Sequence, residues 1–86
     1  MNTEEIKKCL SPHFLHCDIT VQGEGNKFNV LIVGDVFSGL TPVKRQQGVY
    51  ACINEYIASG AIHAVTMKLY TREEWQKARH FQTMGG

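Results

Sequence analysis

The chain has 86 residues, 43% of them hydrophobic and 20% charged, with nine lysines and arginines against eight acidic residues. One small soluble domain fits that length and a second does not, and a chain burying only about 60–65% of its unfolded surface builds no deep private active site. A formal charge of +1 excludes a strongly basic nucleic-acid surface over the whole molecule and favours a binding module whose chemistry is shared with a partner.

Asn2 and Glu5 form a capping pair for a first helix over 3–10, with Ile6 and Leu10 inward. Ser11-Pro12 stops it, because the residue before proline avoids the helical region. Residues 17–22 alternate, with Cys17, Ile19 and Val21 on one face, and residues 27–34 resume as a strand with Phe28, Val30 and Ile32 in phase. Gly23-Glu24-Gly25-Asn26 supplies turn chemistry between them, so the pair reads as an antiparallel hairpin. A loop over 34–41 around Phe37 leads to Thr41-Pro42, a hydroxyl cap followed by proline at the first helical position.

The helix that follows runs to about Ser59, where Gly60 stops it, and Val49, Tyr50, Ile53, Tyr56 and Ile57 recur at helical spacing. Lys44 and Arg45 in its first turn oppose the helix dipole by a few tenths of a kcal/mol each, roughly, which suggests a surface kept basic for another purpose. A third strand over 61–70 precedes Thr71-x-x-Glu74, a capping box that opens a last helix with Trp75 and Ala78 inward. The tail over 82–86 lacks apolar content and is expected to fray, leaving residues 1–81 as the domain. The order α-β-β-α-β-α predicts an α+β sandwich, a three-stranded sheet with helices packed on one face.

Cys9, Cys17 and Cys52 are odd in number and lack CxxC spacing, which argues against a disulfide framework or a self-contained zinc site. No apolar segment of signal-peptide length follows MNTEEIKK, and Val30-Leu31-Ile32-Val33 is far shorter than the roughly 20 residues that span a bilayer. A reducing, cytoplasmic location and no membrane partner are expected. Gly23-Glu24-Gly25 joins two strands instead of leading into a helix N-terminus, so it is a hairpin turn and not a phosphate loop. No nucleophile–base set is suggested, and an enzyme is not indicated.

His63 stands at the start of the third strand, in phase with Val65, Met67 and Leu69. Spacing alone favours a partly buried histidine bonded to a carbonyl, with a metal ligand near the sheet edge as the alternative. His13, His16 and Cys17 have no second ligand pair at a finger-like distance and read as surface histidines and a core cysteine. Lys44, Arg45, Lys68, Arg72, Lys77 and Arg79 form a candidate basic flank, explained either by solvation or by phosphate contact. The α-β-β-α order is like that of KH domains, yet no two glycines stand three apart to form a GxxG clamp.

Val43-Lys44-Arg45-Gln46-Gln47-x-Val49-Tyr50, Ile62-His63-Ala64-Val65 and Tyr70-Thr71-x-x-Glu74-Trp75 together resemble the BolA family over about residues 3–80. The Lys-Arg-Gln-Gln wording is similar to the IbaG-like (YrbA) bacterial subgroup; the founding type carries Arg-His there. The resemblance implies a fold similar to a type II KH domain without the GxxG loop. It also implies partnership with a monothiol CGFS-type glutaredoxin, in cluster trafficking or iron homeostasis. A [2Fe–2S] cluster would be bridged between the glutaredoxin cysteine, glutathione and this chain, with His63 as ligand.

Many members place a second histidine or cysteine just before the Phe of the second strand. Lys27 stands there in this chain, and a protonated lysine cannot ligate iron. Either His63 serves alone, with Lys27, Gly25 and Asn26 contacting glutathione or the partner, or His13, His16 or Cys17 comes into reach, or the cluster binds more weakly. Family descriptions also imply an alternative, a DNA-binding transcriptional regulator using the 42–59 helix with Lys44, Arg45, Lys68 and Arg72. Without its partner the chain is expected to be a monomer or weak homodimer.

Overall fold

The structure is a computed structural model that describes the backbone of residues 1–85 and the side chains of residues 1–79. Its elements are α1 (Thr3–Leu10), β1 (Asp18–Glu24), β2 (Lys27–Val33), α2 (Pro42–Ala58), β3 (Ala64–Tyr70) and α3 (Arg72–Gly85), in the expected α+β order. Short 3₁₀ turns at Ser11–His13 and Asp35–Phe37 complete it. The caps form as the sequence suggests. Asn2 Oδ1 accepts from the Glu5 amide at 2.9 Å, Thr41 Oγ1 from Lys44 at 3.3 Å, and Thr71 Oγ1 from Glu74 at 3.1 Å.

The sheet has the order β1-β2-β3, with β1 and β2 antiparallel and β2 and β3 parallel. β1 runs further than expected, so Glu24 pairs with Lys27 and only Gly25-Asn26 form the turn. Gly25 takes a left-handed φ of 66°, which a glycine adopts without the clash a Cβ would bring. β3 begins at Ala64 and not at 61, because the chain is still joining the sheet at Ile62 and His63.

Ile6 and Leu10 of α1, Phe14, Phe28, Val30 and Ile32 of β2, Phe37, Val49 and Ile53 of α2, and Ile62 form one buried cluster. Each such side chain contributes about 1.5–3 kcal/mol by leaving water. Ile19, Val21, Val65, Met67 and Leu69 complete the apolar face of the sheet. Tyr50, expected inward, is 37% exposed, since Val49 and Ile53 take the buried stripe and its neighbour is turned about 100° away.

α1 and α2 cover that apolar face. α3 adjusts the expectation of helices on one face: its Trp75 stacks on Tyr70 at 5.7 Å and borders a groove with Thr20, Asn29, Leu31 and Lys68 of the opposite face. Residues 82–85 of the tail expected to fray continue the backbone of α3, and residue 86 lies outside the described residues. No helix among the described residues is long and apolar enough to cross a membrane.

Candidate functional site

Parallel pairing of β2 with β3 sets Lys27 beside Ala64, so the hairpin turn and the entry to β3 share one end of the sheet. The Asn26 carbonyl accepts from the amides of both His63 (2.7 Å) and Ala64 (3.1 Å). One residue earlier, the Ile62 amide donates to the Tyr56 carbonyl at 3.0 Å, and the Ile62 side chain is buried in the core. Backbone bonds therefore hold the chain on both sides of His63. Its imidazole is exposed, as are Gly25, Asn26 and Lys27 beside it.

This arrangement overturns the spacing-based preference for a partly buried histidine. Strand alternation does not govern His63, because the strand starts after it. What results is a solvent-facing imidazole on a fixed backbone, so that only the side-chain rotamer remains to be ordered when it takes a ligand.

The alternative ligands lie elsewhere. Cys17 immediately precedes Asp18, which pairs with Val33 at the end of β1 remote from the hairpin. β1 spans seven residues, so Cys17 lies about 20 Å from the turn along the strand, and His13 and His16 belong to the turns that precede it. His16, in a left-handed conformation (φ 64°), gives its carbonyl to Arg72 Nη2 at 2.8 Å. Burial pushes the Cys17 and Cys52 thiols up, keeping them protonated, and the Cys9 thiol donates to the Tyr56 hydroxyl at 3.5 Å.

Among the described residues no three His, Cys, Asp or Glu side chains converge to hold a metal ion. A metal group at His63 would draw its remaining ligands from another molecule.

The basic flank separates into two kinds of residue. Arg45, whose side chain is 12% exposed, donates to both carboxylate oxygens of Glu74 (2.6 and 3.3 Å) and to the carbonyls of Leu69 (3.1 Å) and Leu40 (3.0 Å). It also lies over the Phe37 ring at 5.8 Å. Arg72 bonds Asp18 at 3.3 Å as well as His16, and its amide donates to Asp35 at 3.3 Å. Both arginines hold elements together. Lys44 and Lys68 are exposed, on α2 and on the polar face of β3.

The Arg45–Glu74 lock joins residues 29 positions apart, beyond any local sequence pattern. Its one sequence signal is the unfavourable arginine in the first turn of α2, whose purpose the structure now supplies. The hydrogen bonds from Arg45, aided by the Thr71 amide at 2.8 Å, hold the Glu74 carboxyl down at about 2.

A profile of the family described as "BolA-like protein" matches residues 4–74. The chain belongs to the BolA-like family. It is 42% identical over 79 residues to the Escherichia coli "Acid stress protein IbaG", covering 92% of this chain and 94% of that one, which supports the IbaG-like subgroup. It is 33% identical over 79 residues to the Haemophilus influenzae "DNA-binding transcriptional regulator BolA", covering 85% of this chain and 76% of that protein. Among solved structures, a BolA homologue from Coxiella burnetii superposes with a TM-score of 0.74 at 26% identity, covering 88% of this chain and 97% of its own.

Proposed function

We propose that this BolA-like chain is a non-catalytic, cytoplasmic partner of a monothiol CGFS-type glutaredoxin, and that the pair holds a [2Fe–2S] cluster for trafficking or iron homeostasis. The observation that carries this reading is the exposed His63 imidazole on a backbone fixed by Asn26, Tyr56 and the buried Ile62. The donor set suits a shared group: this chain offers one neutral nitrogen, and thiolates from glutaredoxin and glutathione supply the rest. Imidazole in place of thiolate lowers the negative charge at such a cluster and raises its potential, making release and reduction easier.

His63 serves as the sole ligand from this chain. Lys27, across from Glu24 on the hairpin, offers positive charge to the carboxylates of glutathione, and Gly25 and Asn26 form the adjoining partner surface. Co-expression of this chain with a monothiol glutaredoxin, in cells supplied with iron, tests the pairing. A coloured heterodimer with visible circular dichroism is the expected product; a colourless pair, or no pair, contradicts the reading.

The name of the Haemophilus relative favours a second reading, DNA binding through α2. Of the cations it would use, Arg45 and Arg72 are engaged within the fold, leaving Lys44 and Lys68. Specific binding would show a salt slope of about −0.9 per phosphate neutralised, reduced by Lys44→Ala. Binding that ignores sequence and vanishes near physiological salt removes this reading.

A further inference from the structure

Gly48, Cys52 and Tyr56 follow one another at four-residue spacing and form one stripe along α2. The chain of α1 and its exit meet that stripe at both ends. At one end stands Phe14, whose Cζ a Cβ on Gly48 would meet at 3.9 Å. At the other, the Cys9 thiol in the last turn of α1 donates to the Tyr56 hydroxyl at 3.5 Å. Cys52 lies between these two contacts. The Tyr56 ring leans back toward it, because side chains of a helix point to its N-terminus and over the residue four positions earlier. Cys9 and Cys52 therefore face each other across the seam between α1 and α2.

The electrostatics agree with this placement. Burial, and after it a charge on Cys9, pushes the Cys52 thiol up, and the hydrogen bond from Cys9 does the same to the Tyr56 hydroxyl. Both thiols are half-buried and free. Cys17 is placed differently: it donates to the Leu15 carbonyl at 3.6 Å and packs so closely on Gly34 that no Cβ would fit there.

We propose that Cys9 and Cys52 are a redox pair that closes reversibly into a disulfide tying α1 to α2, with glutathione disulfide as the oxidant. Cys9, as thiolate, attacks one sulfur of glutathione disulfide, forms a bond to it and expels one glutathione thiolate. Cys52 then loses its proton to solvent and attacks the Cys9 sulfur, expelling the second glutathione thiolate. Two protein thiols are oxidised, one glutathione disulfide is reduced, and the two protons released end on the two glutathione thiols. Burial keeps Cys52 protonated, but its attack is intramolecular, and the high effective concentration offsets the small thiolate fraction. The new bond closes beside Tyr56, whose carbonyl holds Ile62 ahead of His63. It needs neither a glutaredoxin nor a cluster, so its test stands apart from the proposed pairing.

The full chain is equilibrated alone in glutathione buffers from reduced to oxidised, quenched with acid and alkylated. Peptide mass mapping should find one Cys9–Cys52 link in a monomeric chain lighter by two hydrogens, with Cys17 still alkylated, and dithiothreitol should reverse it. The oxidised chain should melt several degrees higher, as the closing of a long loop requires. Cys52→Ser should abolish that rise and leave glutathione on Cys9, Cys9→Ser should abolish it from the other side of the seam, and Cys17→Ser should change nothing. Free thiols at Cys9 and Cys52 in the most oxidising buffer, glutathione retained on Cys9 of the native chain, or links between chains overturn the proposal.

Discussion

The two ends of the sheet are built on opposite plans. At the hairpin end, backbone hydrogen bonds from His63 and Ala64 to Asn26 do the holding, and the side chains of Asn26, Lys27 and His63 are left to solvent. At the far end, side chains do the holding: Arg45 ties α2 to β3 and α3, and Arg72 ties α3 to β1 and to the turn after β2. Charges that look available in the sequence are consumed at one end, while an imidazole that looks buried is presented at the other. A side chain can serve a partner only where the backbone, and not that side chain, maintains the fold.

If this contrast is right, substitutions at the two ends should have unlike consequences. Arg45→Ala should have the largest effect on stability, about 2 kcal/mol in urea unfolding, because it removes charge-assisted bonds to Leu69, Leu40 and Glu74 together. A loss below about 0.5 kcal/mol would mean that solvent already screens the lock.

Acid should reach the same junction. Glu74 has a folded pKa of about 2 against the ordinary 4.5, so its contribution is complete above 4.5 and is lost as pH falls toward 2. With the Glu74 side chain 45% exposed, screening reduces that contribution to the order of 1 kcal/mol. Unfolding of the Glu74→Gln chain, followed between these two pH values, should lack this part of the slope.

Gly48→Ala should act in the opposite direction, raising stability by about 0.5–1 kcal/mol, since alanine suits a helix interior and the Cβ has room. A lower thermal midpoint would show that Phe14 leaves no space for the Cβ. His63→Ala should change stability least, by less than about 0.5 kcal/mol, because the side chain is exposed and the bonds at this position are made by the backbone. A larger loss would give His63 a structural role and weaken the contrast.

The elements were readable because their signals are local. Asn2 with Glu5, Thr41-Pro42 and Thr71 with Glu74 mark helix starts within a few residues, and alternation at Phe28, Val30 and Ile32 marks the buried face of β2. The site was only half readable. The Ile62-His63-Ala64-Val65 wording pointed to His63 through a resemblance, while its exposure depends on where β3 begins, which pairing with β2 decides. Arg45 and Glu74 are separated by 29 positions, and no periodicity connects them. The fate of the basic flank therefore became visible only once α2 and α3 were set against the same strand.

The central claim is that His63 contributes the ligand from this chain. Visible absorption and circular dichroism of the glutaredoxin heterodimer, with native His63 and with His63→Ala, test it most directly. The account predicts that the variant remains folded but loses or reshapes the cluster bands. Superimposable spectra would contradict it.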